Sequence, residues 1–185
     1  MFQLQRITTE YVEAEDRIRL SGEDEQENKL VLWLTQRLLS QVIAHLIGLI
    51  EKQDQGVTKN TNKATDTLRQ SFAQQAAQAA FSSEPPVQTP ADSQSWLVRE
   101  VDITLTSEAA LVMVFKQKSG AAEINPNEQS RLSNEAILTV EAKKLRQWLG
   151  IIHTQWQRAG WPLALWPSWI EATDAKPSEN ISSLH

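Results

Sequence analysis

The feature that most constrains this chain is a joint that occurs twice: a short apolar run passing directly into an amphipathic helix. Lys29-Leu30-Val31-Leu32-Trp33-Leu34 is short and almost uniformly apolar, which predicts a strand buried on both faces. Thr35 then offers an N-cap oxygen to an otherwise unpaired backbone N–H. At about 100° per residue, Leu38, Leu39, Val42, Ile43, Leu46, Leu49 and Ile50 share one arc. Arg37, Gln41, Ala44, Gly48 and Lys52 lie opposite. The second joint is Ala136-Ile137-Leu138-Thr139-Val140, followed by a helix opening at Glu141 with a stripe of Leu145, Trp148, Leu149, Ile152 and Trp156. An offset of 106 residues (Leu32 onto Leu138) superposes the joints and lays the stripe of one helix on the arc of the other. Two readings fit: an internal duplication about a pseudo-twofold axis, or the generic likeness of any strand followed by an amphipathic helix.

Strands precede each joint. Gln5 to Tyr11 alternates with Ile7, Thr9 and Tyr11 on one face, and Arg17-Ile18-Arg19-Leu20 alternates again. In the second half Trp96 to Thr106 alternates, with Leu97, Val101, Ile103 and Leu105 on one face, and Ala110 to Phe115 is an apolar strand. The fold class expected is therefore α+β: two strand-strand-strand-helix units, about six mainly antiparallel strands and two main amphipathic helices. Each unit alone has too little core, so residues 1–171 are expected to co-fold as one domain. Unit one spans 1–52, an insertion and linker 53–95, and unit two 96–171; residues 172–185 read as a disordered tail. Within the insertion, Ala64 to Phe81 is rich in Ala and Gln and predicts a helix. Leu68 and Phe72 are its larger apolar residues, so it would dock weakly or on a partner. Ser82 to Ser95, with Pro85-Pro86 and Pro90, reads as an extended linker.

Composition then removes function classes. The 185 residues carry a formal net charge of −5 and no cysteine. This excludes disulfides, thiolate metal sites and cysteine nucleophiles, and argues against the positive field that nucleic acid or anionic membranes require. Leu30 to Ile50 holds too many polar groups, Arg37, Gln41 and His45 among them, for a lipid-exposed span. The N-terminus lacks a basic start and long apolar stretch, so a cytoplasmic location is expected.

No residues assemble into a recognisable catalytic, cofactor or metal motif. His45 and His153 read as boundary residues of the two helices, and His185 is terminal. Glu13, Glu15, Asp16, Glu23, Asp24, Glu25 and Glu27 read as a charged, solvated hairpin end without the spacing of a calcium loop. Lys143, Lys144, Arg146 and Arg158 read as a solvated helix face. Catalytic, cofactor-binding and metal residues are accordingly none, and no cofactor is expected.

Tryptophan is the anomaly: seven residues, five of them within Trp148 to Trp169. After Gly160 closes the second helix, the chain reads Trp161-Pro162-Leu163-Ala164-Leu165-Trp166-Pro167-Ser168-Trp169-Ile170. Residues before proline favour extended backbone, so the segment is stiff and rich in apolar area. Either Trp161, Trp166 and Trp169 dock on a partner, as interface-dominating indoles do, or the segment folds back and closes the core. The function expected is a small non-catalytic protein–protein interaction or assembly module that self-associates as a homodimer. It would not bind nucleic acid or insert in a membrane. The alternative is a ligand-binding protein or enzyme with a pocket between the units lined by Trp33, Trp148 or Trp156.

Overall fold

The computed structural model of the chain describes residues 1–55, 63–82, 84–107, 110–117, 134–171 and 183–184. Its strands are β1 (Phe2–Leu4), β2 (Arg6–Val12), β3 (Arg17–Glu23), β4 (Lys29–Leu34), β5 (Gln94–Leu97), β6 (Glu100–Leu105), β7 (Leu111–Lys116), β8 (Glu135–Val140) and β9 (Ser183–Leu184). Its helices are α1 (Gln36–Gln55), α2 (Lys63–Ala79), α3 (Ala142–Arg158) and α4 (Ser168–Glu171). The α+β class holds, and both strand-to-helix joints form as expected. Thr35 Oγ1 accepts from Leu38 N–H at 3.2 Å, which satisfies one of the first-turn donors of α1.

The strands make two sheets, ordered β1-β8-β7-β6 and β5-β4-β3-β2-β9. Replacing each strand of one half by its counterpart in the other (β1 by β5, β2 by β6, β3 by β7, β4 by β8) converts one order into the other, β9 excepted. Registers agree as well. Phe2 lies beside Ala136 and Leu4 beside Leu138, while Gln94 lies beside Leu30 and Trp96 beside Leu32. Both of these pairings are parallel, and the remaining main-strand pairs are antiparallel.

Each half thus has four strands and a helix rather than three strands and a helix, because its leading strand is bent. Gln5 N–H donates to Glu23 O at 2.8 Å, and Arg99 N–H to Lys116 O at 2.9 Å, at equivalent corners. At each corner the chain leaves one sheet and enters the other, so every sheet takes an end strand from the opposite half. The bend also shifts the inward phase by one residue. Leu4 is buried before the corner and Ile7 and Thr9 after it; Trp96 is buried before the second corner, with Val101 and Ile103 turned inward after it. The continuous alternation expected from Trp96 to Thr106, with Leu97 on the face of Val101, is corrected on this point. A flat strand would carry one phase throughout, and this one changes sheets.

One core follows from this exchange. It unites Ile7, Ile18, Leu20, Leu32, Leu34, Met113, Phe115, Leu138 and Val140 with Leu39, Ile43 and Leu46 of α1 and Leu145, Trp148, Leu149 and Ile152 of α3. The Trp148 indole N–H reaches Thr9 Oγ1 at 3.0 Å, pinning α3 to β2 of the other half. Gly22 is needed where β1 passes β3, because a Cβ there would overlap Leu4 Cδ2.

Two expectations between and after the units change. The linker is anchored: Arg6 Nη2 donates to Pro85 O at 2.8 Å, Val87 N–H donates to Thr8 Oγ1 at 2.8 Å, and Val87 is buried. Within the tail, Ser183–Leu184 forms a strand that pairs antiparallel with Ile7 and Thr8. Residues 172–182 and 185 lie outside the described residues.

Candidate interaction surface

Gly160 ends α3 as the sequence predicts. With φ +66 it lets Trp161 N–H donate to Trp156 O at 3.3 Å and Gly160 N–H to Gln157 O at 3.0 Å, a Schellman closure. The chain then folds back, and Trp161, Trp166 and Trp169 are all buried within it. Trp156 meets Trp161 edge-on with ring centroids 4.8 Å apart and Trp166 at 5.8 Å; Tyr11 adds a third edge contact to Trp161 at 5.6 Å. Each such pair adds about 0.5–1.5 kcal/mol beyond area burial. Two of the three indole N–H groups are satisfied, and the Trp166 Nε1 is buried without a hydrogen-bond partner among the described residues. Trp161 Nε1 donates to Asp16 Oδ1 at 3.1 Å, and Trp169 Nε1 to Glu51 Oε1 at 3.3 Å. Of the two arrangements open to these indoles, core closure is the one adopted, so in this conformation they offer no docking surface.

The other singled-out residues disperse. His45 is exposed on α1, whereas His153 is buried with its ring 4.9 Å from Trp166. Arg146 is not on a solvated face: its guanidinium bonds Gln70 Oε1 and lies 5.3 Å over the Trp169 ring. Trp148 and Trp156 are packed solid, and Trp33 donates from Nε1 to Ser95 Oγ at 3.0 Å. The hairpin carboxylates have local duties. Asp24 accepts from Gln26 N–H and Asn28 N–H, both at 2.9 Å, and Glu23 bonds Arg6 and Lys29. Burial pushes the Glu23 carboxyl up, but these two cationic donors outweigh it and hold the group below the ordinary glutamate range. Among the described residues no helix is long and apolar enough to cross a membrane.

Sequence reasoning missed the way α2 docks. Its buried residues are Gln70, Gln74 and Ala77, spaced as one helical face. Gln74 Nε2 donates to Arg146 O at 2.9 Å, and Gln147 Nε2 donates to Ala77 O at 2.8 Å. Gly150 of α3 leaves the space that the Gln78 amide now occupies. The helix therefore packs through amides, and its two large apolar side chains point the other way. Leu68 is 60% exposed and Phe72 68% exposed, one turn apart and diametrically opposite the glutamines. Ala76 and Ala79 continue the outward stripe. Along its flank runs a groove of about 370 Å³ lined by Ala73, Ala76, Ala77, Ala142, Lys143 and Arg146. The signal available in the sequence was the spacing of Gln70, Gln74 and Ala77 at i, i+4, i+7, which a search for apolar stripes passes over.

The two equivalent outer strands, β2 and β6, differ in charge. Arg6, Glu23 and Lys29 stand abreast across β2, β3 and β4, and Glu100, Lys116 and Glu135 stand abreast at the matching positions of β6, β7 and β8. Every sign is reversed. The bond from Lys116 to Asp102, more than the fields of Glu100 and Glu135, raises the Lys116 ammonium above its ordinary value. Comparison of the chain with known protein families, with curated proteins and with solved structures returns no match.

Proposed function

We propose that this protein is a non-catalytic cytoplasmic assembly module that self-associates as a homodimer through the outer face of α2. The observation that carries this reading is the orientation of that helix: a Leu–Phe pair one turn apart, largely exposed, on a helix that satisfies its own fold through glutamines. Burying a Phe or Leu side chain is worth about 1.5–3 kcal/mol, so a partner that covers both would gain several kcal/mol. A second copy supplies both halves of such a contact. The Phe72 ring is the projecting element, and the alanine-lined groove beside it is the receiving one, so two antiparallel α2 helices related by a twofold axis each give and receive a ring. The matching strand orders of the two halves support descent by internal duplication, with α2 inserted between the two units.

The test is solution mass by sedimentation equilibrium on the full chain. Wild type is expected to dimerise with rising concentration, and Phe72→Glu and Leu68→Glu to remain monomeric with unchanged urea unfolding. A wild-type chain that stays monomeric throughout, or a Phe72→Glu chain that dimerises as wild type does, removes this reading.

A further inference from the structure

We infer that the open edge of β6 is a second binding site, independent of α2, which takes an extended peptide of alternating basic and apolar residues as an added antiparallel strand. The argument starts from the matching edge in the other half. There the outward edge of β2 is occupied: Ile7 and Thr8 pair with Leu184 and Ser183, and Tyr11 N–H donates to Gln155 Oε1 of α3 at 2.9 Å. Equivalent positions on β6 are Val101, Asp102 and Leu105, and Leu49 of α1 stands where α3 has Gln155. Among the described residues β6 is the last strand of its sheet.

The ladder geometry says which groups are presented. Thr106 N–H donates to Ala110 O at 2.8 Å and the register runs Leu105 to Leu111, so the even-numbered residues exchange bonds with β7. Val101, Ile103 and Leu105 therefore aim their N–H and C=O groups away from the sheet, as an incoming strand requires. Beside this edge lies a groove of about 590 Å³, walled by β6 from Arg99 to Thr104 and by Leu38, Gln41, Val42 and His45 of α1. That volume suits a short peptide.

Charge selects the occupant. On β2, Arg6 holds Glu84 and Pro85 O of the chain's own linker. On β6 the same face presents Glu100 and, two residues on, Asp102, both exposed; Lys116 bonds Asp102, and Arg99 stands at the end of the groove. A strand added here places alternate residues beside these carboxylates and the others against Val42 and Leu38, so it should be basic on the first set and apolar on the second. A second β6 is a poor candidate, because it would bring two more carboxylates to the same face.

The probe is a fluorescein-labelled, acetylated and amidated peptide of alternating lysine and valine, with an alternating glutamate–valine peptide as its counterpart, read by fluorescence polarisation on the full chain. The lysine peptide should bind and weaken with added salt, and the glutamate peptide should not bind. Ile103→Pro removes an outward N–H without breaking the β7 ladder and should weaken binding about tenfold or more. The double variant Glu100→Lys with Asp102→Lys needs no proline and should exchange the preference to the glutamate peptide. Phe72→Glu should leave binding unchanged, which separates this site from the α2 face. No binding of the lysine peptide, equal binding of both peptides, or a preference unmoved by the charge reversal overturns the proposal.

Discussion

The exchange of leading strands makes a sharp energetic prediction at the point where Leu4 crosses Gly22. Leu4 is paired with β8 in one sheet, yet its side chain fills the space over β3 in the other. Gly22→Ala puts a methyl group into Leu4 Cδ2, with Leu4 Cγ 3.6 Å away and the leucine almost fully buried, so the leucine has little room to turn aside. Overpacking of this kind costs about 1–3 kcal/mol, offset by about 0.5–1 kcal/mol because alanine has less unfolded-state freedom than glycine. The net expectation is a loss of about 1–2 kcal/mol. Leu4→Ala alone should cost about 2–4 kcal/mol through the cavity it leaves. In the double variant the clash is gone and the new methyl enters vacated space, so Gly22→Ala should become neutral or mildly stabilising. The cycle should therefore show a coupling of about 1–3 kcal/mol, measured by urea unfolding of all four chains. Additivity within about 0.5 kcal/mol would mean that the two residues do not meet, and the crossing of β1 into the other half would be wrong.

Two further outcomes test the charge network and the indole cluster. Because the Glu23 carboxyl lies below its unfolded value, its contribution is present at neutral pH and disappears as pH falls through the folded value. Glu23→Gln should thus cost about 1 kcal/mol near neutrality, and the two unfolding curves should converge in acid, below the ordinary glutamate range; a gap that is constant across pH would refute the assignment. Iodide should quench native tryptophan emission only weakly, with the half-buried Trp33 the main accessible indole, and quenching as strong as in urea would contradict the burial of Trp161, Trp166 and Trp169.

Much of this architecture could be read from hydrophobic spacing. Both strand-to-helix joints, the α1 and α3 faces, the Thr35 cap and the Gly160 closure follow from rules that act over four or five residues. What the spacing could not give was the partner of each strand. Trp96 and Val101 look like neighbours on one alternating strand, and only the corner at Val98–Arg99 places them in different sheets. The indole segment was ambiguous for a related reason: apolar area predicts burial but not against what, and Tyr11, Asp16 and Glu51, all distant in sequence, decide it. For α2 the sequence misled by chemistry. Glutamine is read as a surface residue, yet Gln70 and Gln74 are buried because Arg146 and its carbonyl use their amides, which leaves Leu68 and Phe72 outside.

The exchanged strands also bear on how the polypeptide is made. Phe2–Leu4 leaves the ribosome well before Ala136–Leu138, and among the described residues that later strand builds the ladder it joins. The N-terminal half emerges with that end unmatched and with Leu4 unable to take its final place, so a finished N-terminal unit cannot accumulate during translation. Closure waits for β8, which makes acquisition of the native state slow and late and exposes the nascent chain to rival strand pairings in the interval.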